Sequence, residues 1–209
     1  MDGTLVDVAS SWRVVHDHFG EHNDEGLRRF MANEIDDHEF IRSDVRIWWK
    51  HAPTLTSDDL EAILASVPLM PGARELMRGL HERRASTAIV SGGLDLLARR
   101  VGRELGVDHV LANGLRTTAG GQLTGEGIVR VPIHDKEAVL TRLQTRLGVS
   151  PEETAGVGNS EIDVGLFRRS RLGIAFLPED EAVRQAATVT ITERNLARVL
   201  DALDASFGR

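Results

Sequence analysis

A change of hydrophobic period at Pro68 constrains this chain more than any other feature. Before it, apolar residues recur every three or four positions; after it, amphipathic helical stretches alternate with short, continuously apolar runs. Pro71 opens a helix with Ala73, Leu76, Met77 and Leu80 on one stripe, and Thr87 to Val90 follows as a short strand ending at Ser91-Gly92-Gly93. Leu94, Leu97, Ala98, Val101 and Leu105 line the next helix, Val107 to Ala112 is strand-like, and Val139, Leu140, Leu143 and Leu147 line a further helix. Thr154 to Val157 and Leu172 to Phe176 read as buried strands, Thr188 to Ile191 as a weaker one, and Leu196, Val199, Leu200 and Leu203 as a closing helix. Apolar strands separated by helices predict an α/β fold, a Rossmann-like parallel sheet covered on both faces. Gly120-Gly121, between β-prone runs from Leu115 to Val131, predicts a small β-hairpin excursion.

The stretch from Ser10 to Pro68 is helical throughout. Trp12, Val15 and Phe19 share a face, with Ser10 or Ser11 as N-cap and Gly20 as stop; Leu27, Phe30 and Met31 repeat the spacing. Ile41, Val45 and Trp48 mark a third helix, and Leu60, Ile63, Leu64 and Val67 a fourth, opened by Thr56 or Ser57. Trp48 and Trp49 read as bundle core and its margin, because an aromatic at helical spacing is more often packing than recognition. The expected organisation is thus an α/β core of residues 1–9 and 69–209 with a four-helix insert over 10–68. Such a sheet should open on an apolar strand, and ahead of Asp2 there is only Met1.

Bulk properties remove several function classes. With 209 residues the chain can bury a sizeable core. It has no cysteine, which excludes disulfides, thiolate metal sites and thiol catalysis. A formal net charge of -7 disfavours nucleic acid, which is bound through a surplus of Lys and Arg. Met1-Asp2-Gly3-Thr4 is acidic and turn-like where a signal peptide would be basic and then apolar, and no apolar run approaches the roughly 18 to 20 residues of a membrane span. A cytoplasmic protein without membrane or nucleic-acid partners is expected; no oligomeric state is specified.

Four short segments carry chemistry. Asp2-Gly3-Thr4-Leu5-Val6 alone is a turn. Ile89-Val90-Ser91-Gly92-Gly93 sets a hydroxyl and flexible amides at the carboxyl end of a strand, where open α/β sheets place ligands; alone it is equally a strand-to-helix turn. Lys136 opens a helix after Asp135, against the helix dipole, although a solvated lysine is the plain alternative. Gly156-Val157-Gly158-Asn159-Ser160-Glu161-Ile162-Asp163 runs from a strand into a loop offering hard oxygen ligands suited to Mg²⁺, or else an N-capped turn.

In this order the four segments resemble the haloacid dehalogenase superfamily, and within it the phosphoserine phosphatase-like group. The group's pattern is Asp-x-Asp-Gly-Thr-Leu, a Ser or Thr ending the second strand, a lysine, and a final Gly-Asp-x-x-x-Asp loop. Leu69-Met70-Pro71-Gly72, Ala112-Asn113 and the helical insert, which would be the cap, belong to the same resemblance. It implies a Mg²⁺-dependent phosphomonoester hydrolase acting on a small phosphorylated metabolite through an aspartyl-phosphate. Asp2 would match the second Asp, which protonates the leaving oxygen and later activates water. Ser91, the Gly92 amide and Thr4 would bind substrate, Lys136 would balance charge, and Mg²⁺ would be held by the nucleophile, Asp2 through its carbonyl, Asn159 and Asp163.

Two departures carry weight. The nucleophile would lie one residue before Met1, and the first acid of the last segment is Asn159, so that Glu161 or Asp163 would have to compensate or Mg²⁺ would bind more weakly. The place of a substrate-binding cap glutamate falls at Ala9, while Arg42 or Arg46 could receive a substrate carboxylate. A catalytically inactive phosphate-binding protein is the alternative, and Asn159 is the feature favouring it.

Overall fold

The computed structural model describes residues 1–208. The cap comprises α1 (Ser11–His18), α2 (Asp24–Met31), α3 (Asp37–Trp48) and α4 (Ser57–Leu64). Each starts where the local chemistry says it should: the side chains of Ser10, Asn23, Asp36 and Thr56 accept amides of the first turns, the last in a capping box with Asp59. α1 turns off at Gly20, which takes the left-handed conformation expected of a stop signal.

A buried polar network ties three cap segments together. Trp48 Nε1 donates to His16 Nδ1 at 3.2 Å, so His16 turns its other nitrogen, Nε2, to Asp44 Oδ1 at 2.9 Å. Asn23 Nδ2 donates to the same Asp44 oxygen at 2.7 Å. Trp48 was expected as core and is fully buried, but it also supplies this donor. Trp48→Phe keeps most of the packing and strands the His16 acceptor, so unfolding in urea is expected to show a loss of about 1–3 kcal/mol.

The α/β core follows the expected alternation. β1 (Ala88–Leu94) pairs in parallel with β2 (His109–Thr117), which pairs antiparallel with β3 (Leu123–Ile128). β4 (Ala155–Gly158), β5 (Leu172–Phe176) and β6 (Val189–Ile191) form a second, all-parallel sheet. Around them lie α5 (Ala73–Glu82), α6 (Asp95–Leu105), α7 (Lys136–Leu147), α8 (Val164–Arg168), α9 (Glu181–Ala186) and α10 (Val199–Phe207). All five residues of β5 are buried, and Leu172, Ile174 and Phe176 each contribute roughly 1.5–3 kcal/mol by leaving water.

Two details differ from the reading of the sequence. β2 does not stop at Ala112 but continues to Thr117, and its hairpin is not a free excursion. Leu123 N donates to Leu55 O at 2.9 Å and Ser57 N to Gly121 O at 3.0 Å, so the hairpin is stitched to the cap, and one apolar cluster joins Val15, Val45 and Trp48 to Ile89, Leu97 and Ile174. The sheet is also hydrogen-bonded as two halves of three strands rather than as one. β1 and β4 are each paired on a single side, and Val90, Ala155 and Val157 keep partial exposure that the residues of β5 do not. The N-terminal residues curl instead, with the amides of Thr4, Leu5 and Val6 converging on the Met1 carbonyl. Among the described residues no helix is long and apolar enough to cross a membrane.

Candidate active site

The carboxyl ends of β1 and β4 meet at the N-terminal turn. Gly3 has a positive φ of 65°, and a Cβ there would fall 2.2 Å from Asn159 Nδ2, so glycine is required both by the turn and by the approach of the last loop. From the other side a Cβ on Gly93 would fall 2.5 Å from Asp2 Oδ2. Asp2 is thereby wedged between the two strand ends. Its Oδ2 accepts the Ser11 amide and the Ser11 hydroxyl, each at 2.9 Å, while Oδ1 is buried with no hydrogen-bond partner. Burial pushes the Asp2 carboxyl above its ordinary range, against the opposing influence of the Met1 amino group, the Ser11 donors and Lys136.

Ser91, at the end of β1, is buried, and its Oγ accepts the Gly93 amide at 3.0 Å, which bends the strand end into a small loop. The Gly92 carbonyl of that loop accepts Trp12 Nε1 at 3.0 Å. Thr4 is buried in the N-terminal turn. Lys136 opens α7 as expected, and a reason for it is visible: its Nζ lies 2.7 Å from Asp163 Oδ1, both side chains less than one-tenth exposed. Burial works to raise the Asp163 carboxyl, but Lys136, the Met1 amino group and the donors from Lys136 and the Asn159 amide outweigh it and hold it below its ordinary value.

The last loop is held by a dense set of hydrogen bonds. Asp163 Oδ1 is taken by Lys136, and Oδ2 accepts the amides of Asn159 and Ser160 at 3.0 and 3.3 Å. Both oxygens are thus engaged, and Asp163 organises the loop and pairs the lysine. Glu161 is exposed, and its amide is held by Asp180 Oδ2 at 2.8 Å. The carboxylate that does reach Asn159 is Glu179, whose Oε1 accepts Asn159 Nδ2 at 2.8 Å. Burial raises the Glu179 carboxyl, reinforced by Asp180 and Asp163 and opposed by the Asn159 hydrogen bond.

Arg42 and Arg46 both have acidic partners. Arg42 pairs with Glu39 and, at 3.0 Å, with Glu126 of the hairpin, and Arg46 pairs with Glu39 at 3.0 Å, so both guanidinium charges are already matched on the cap surface. Ala9 is exposed.

Sequence reasoning missed Ser11, Trp12 and Glu179. A signal existed for two of them: two adjacent serines competed for one N-cap, and only Ser10 is used, leaving Ser11 a different task. Glu179 lies three residues beyond the end of β5, on the edge where parallel sheets gather ligands.

The donor set around the N-terminal turn is oxygen-rich, with no sulfur or imidazole, and suits Mg²⁺ in kind. Among the described residues no three His, Asp, Glu or Cys side chains converge to hold a metal on their own. Main-chain carbonyl and Asn159 amide oxygens would therefore have to contribute.

The family model for haloacid dehalogenase-like hydrolases matches residues 1–168. A phosphoserine phosphatase from Archaeoglobus fulgidus is 30% identical over 205 residues, which is 97% of this chain but only 58% of that protein's length. One from Idiomarina loihiensis is 34% identical over 155 residues, 73% of this chain and 69% of that protein. Among solved structures, a phosphoserine phosphatase in apo form aligns with a TM-score of 0.79 at 25% identity, covering 96% of this chain and 94% of the other. A phospho-aspartyl intermediate analogue of phosphoserine phosphatase aligns with a TM-score of 0.80 at 24% identity over 97% of this chain and 95% of the other, a likeness of fold.

Proposed function

This chain belongs to the haloacid dehalogenase-like hydrolase family, and we propose that within it the protein is a Mg²⁺-dependent phosphomonoester hydrolase that works through an aspartyl-phosphate and takes phosphoserine. The observation that carries this reading is the environment of Asp2: a buried carboxyl, raised above its ordinary range, with Oδ2 fixed by two donors beside the end of β1 and Oδ1 buried without a partner. A general acid must hold a proton until the leaving oxygen needs it, and burial is the usual means of keeping a carboxyl protonated near neutral pH.

A phosphate monoester resists attack because it is a dianion. An aspartate one residue ahead of Met1 attacks phosphorus in line, the bond to the leaving oxygen breaks, and Asp2 delivers its proton to that oxygen. In the second half Asp2 takes a proton from water as the water attacks phosphorus, the acyl-phosphate bond breaks, and inorganic phosphate leaves with the nucleophile regenerated. Ser91 and the Gly92 amide bind phosphoryl oxygens, and Lys136, held in place by Asp163, offsets their charge. The Asp2 carbonyl, the Asn159 amide oxygen and the nucleophile would hold Mg²⁺, which would supply further charge neutralisation of the phosphoryl group. The cap excludes water while the acyl-phosphate exists.

The direct test is release of inorganic phosphate from phosphoserine by a form carrying aspartate ahead of Met1. A second reading, an inactive phosphate-binding protein, is favoured by Asn159 alone, and phosphate binding without turnover of any monoester in a broad panel would select it. Asn159→Asp restores a ligand charge and is expected to lower the Mg²⁺ concentration giving half-maximal activity. Because it sets two carboxylates at the present 2.8 Å contact with Glu179, it is also expected to lower the melting temperature measured without metal. An unchanged midpoint would mean that the charge is already supplied, with Glu179 as the nearest source.

A further inference from the structure

The first turn of α1 is sunk further into the molecule than starting a helix requires. Ser10 already caps α1, so Ser11 has no capping task, yet it is 0% exposed. Its polar contacts run to two other segments. The amide and the hydroxyl both donate to Asp2 Oδ2 at 2.9 Å, and Oγ accepts the Leu94 amide at 2.9 Å. A hydroxyl has a single proton to give, so receiving Leu94 turns that proton toward Asp2. The next residue, Trp12, donates Nε1 to the Gly92 carbonyl at 3.0 Å and stacks on Trp48 with ring centroids 5.9 Å apart. Trp48 is itself anchored to His16 in the middle of the cap.

Two consecutive cap residues therefore grip both ends of the 92–94 loop, with Asp2 held between. We propose that Ser11 and Trp12 are positioning residues: Ser11 holds Asp2 by Oδ2 so that Oδ1 is the oxygen presented to the leaving group, and Trp12 locks the cap onto the phosphate-binding loop. A carboxylate without those donors can rotate and present either oxygen, since the terminal torsion of Asp is broad and two-fold. Gly93 closes the arrangement from behind, for a Cβ there would fall 2.7 Å from Ser11 Oγ as well as against Asp2. Neither Ser11 nor Trp12 needs to touch a reacting atom. The chemical part of this proposal rests on the phosphatase reading; the latch itself does not.

Two measurements separate them. In the chain as it stands, hydrogen exchange followed by NMR is expected to show slow exchange of the Leu94 amide and the Trp12 indole proton, and Ser11→Ala should speed Leu94 by roughly ten-fold or more. Exchange of both protons at the rate of exposed loop amides, or a Leu94 rate indifferent to Ser11→Ala, overturns the latch whether or not the protein turns over. In the form carrying the upstream aspartate, kcat/KM is compared for phosphoserine, whose alkoxide needs protonation, and p-nitrophenyl phosphate, whose leaving group does not. Ser11→Ala should cost about 10- to 100-fold with phosphoserine and less than about 3-fold with the aryl ester, the signature of misplaced acid catalysis. Trp12→Phe, which keeps the stack on Trp48, should fall in the same direction with a smaller loss. Equal losses on both substrates would show loosened structure and reject the positioning role. Absence of turnover in the unsubstituted form would instead reject the phosphatase reading and leave exchange at Leu94 to decide the latch.

Discussion

Phosphoserine mixed with Mg²⁺ and a form of this protein carrying an apolar strand and an aspartate immediately ahead of Met1 is expected to release inorganic phosphate, and replacing that aspartate by asparagine is expected to abolish the release by a factor on the order of 10⁶, the scale on which covalent nucleophiles act in other hydrolases. The same factor is expected between the extended form and the chain beginning at Met1. The geometry explains why the effect should be so large. In the proposed mechanism Asp2, Ser91 and Lys136 protonate, bind and neutralise, and none of them is assigned the attack: both oxygens of Asp163 are engaged by Lys136 and the loop amides, and Asp2, with Oδ2 held by two donors, keeps Oδ1 for the leaving oxygen. Asp2→Asn in the extended form should leave the nucleophile intact and cost about 10² to 10⁴-fold, the usual worth of a positioned acid-base group. Comparable losses for the two substitutions would contradict the separate roles. Phosphate release by the chain beginning at Met1 at the rate of the extended form would sink the aspartyl-phosphate reading altogether.

The architecture was legible because it rests on period. The all-buried run Leu172 to Phe176 and the helical stripe from Leu94 to Leu105 each announce their element without help from the rest of the chain. The boundaries of β2 were less legible, since Asn113, Gly114 and Arg116 break the apolar run that the eye follows. They stay in the strand because Asn113 bonds outward, its Oδ1 accepting the amides of Arg130 and Val131 at 2.9 Å each. The site was legible in its types and less so in its pairings. Lys136 at a helix start asked for an acid, but nothing local says that the acid is Asp163, 27 positions away. Asn159 was read against its own loop, so Glu161 and Asp163 were the compensating candidates. The chain instead brings Glu179 back from the end of β5, a contact that depends on strand order and not on spacing.

The surroundings of the cap arginines depend in part on tertiary pairing too. An arginine on a helix near the proposed phosphate site invites a carboxylate ligand, yet α3 itself supplies Glu39, a partner that helical spacing makes available, and the hairpin supplies Glu126, which comes within reach only because the hairpin is stitched to the cap. Other groups reach the core from the cap. Ser11 and Trp12 reach Asp2 and Gly92, Asp37 Oδ1 accepts the Ile133 amide at 3.0 Å, and Phe30 stacks on His134 with centroids 4.7 Å apart.

Asp163→Asn is expected to be among the most destabilising single changes in the molecule, at about 3–5 kcal/mol, because it leaves the ammonium of Lys136 buried without its counter-charge. An asparagine could still offer its oxygen to the Asn159 and Ser160 amides, but its NH₂ group would then face Lys136, donor against donor. Lys136→Met should cost less, since Asp163 would retain the loop amides, and the double variant should cost less than the sum of the two, the mark of a direct pair in a double-mutant cycle. The pH dependence has a definite sign. Asp163 is held below the ordinary aspartate value of 3.8, so the pair's contribution is fully present above that pH and is lost as pH falls through the lower folded value. Urea unfolding of the unsubstituted protein should therefore lose stability on the acid side of pH 4 with a slope that Asp163→Asn reduces. A cost below about 1 kcal/mol for Asp163→Asn, with no change in that slope, would mean that Lys136 finds water or another partner and that the pair is not what holds the last loop against α7.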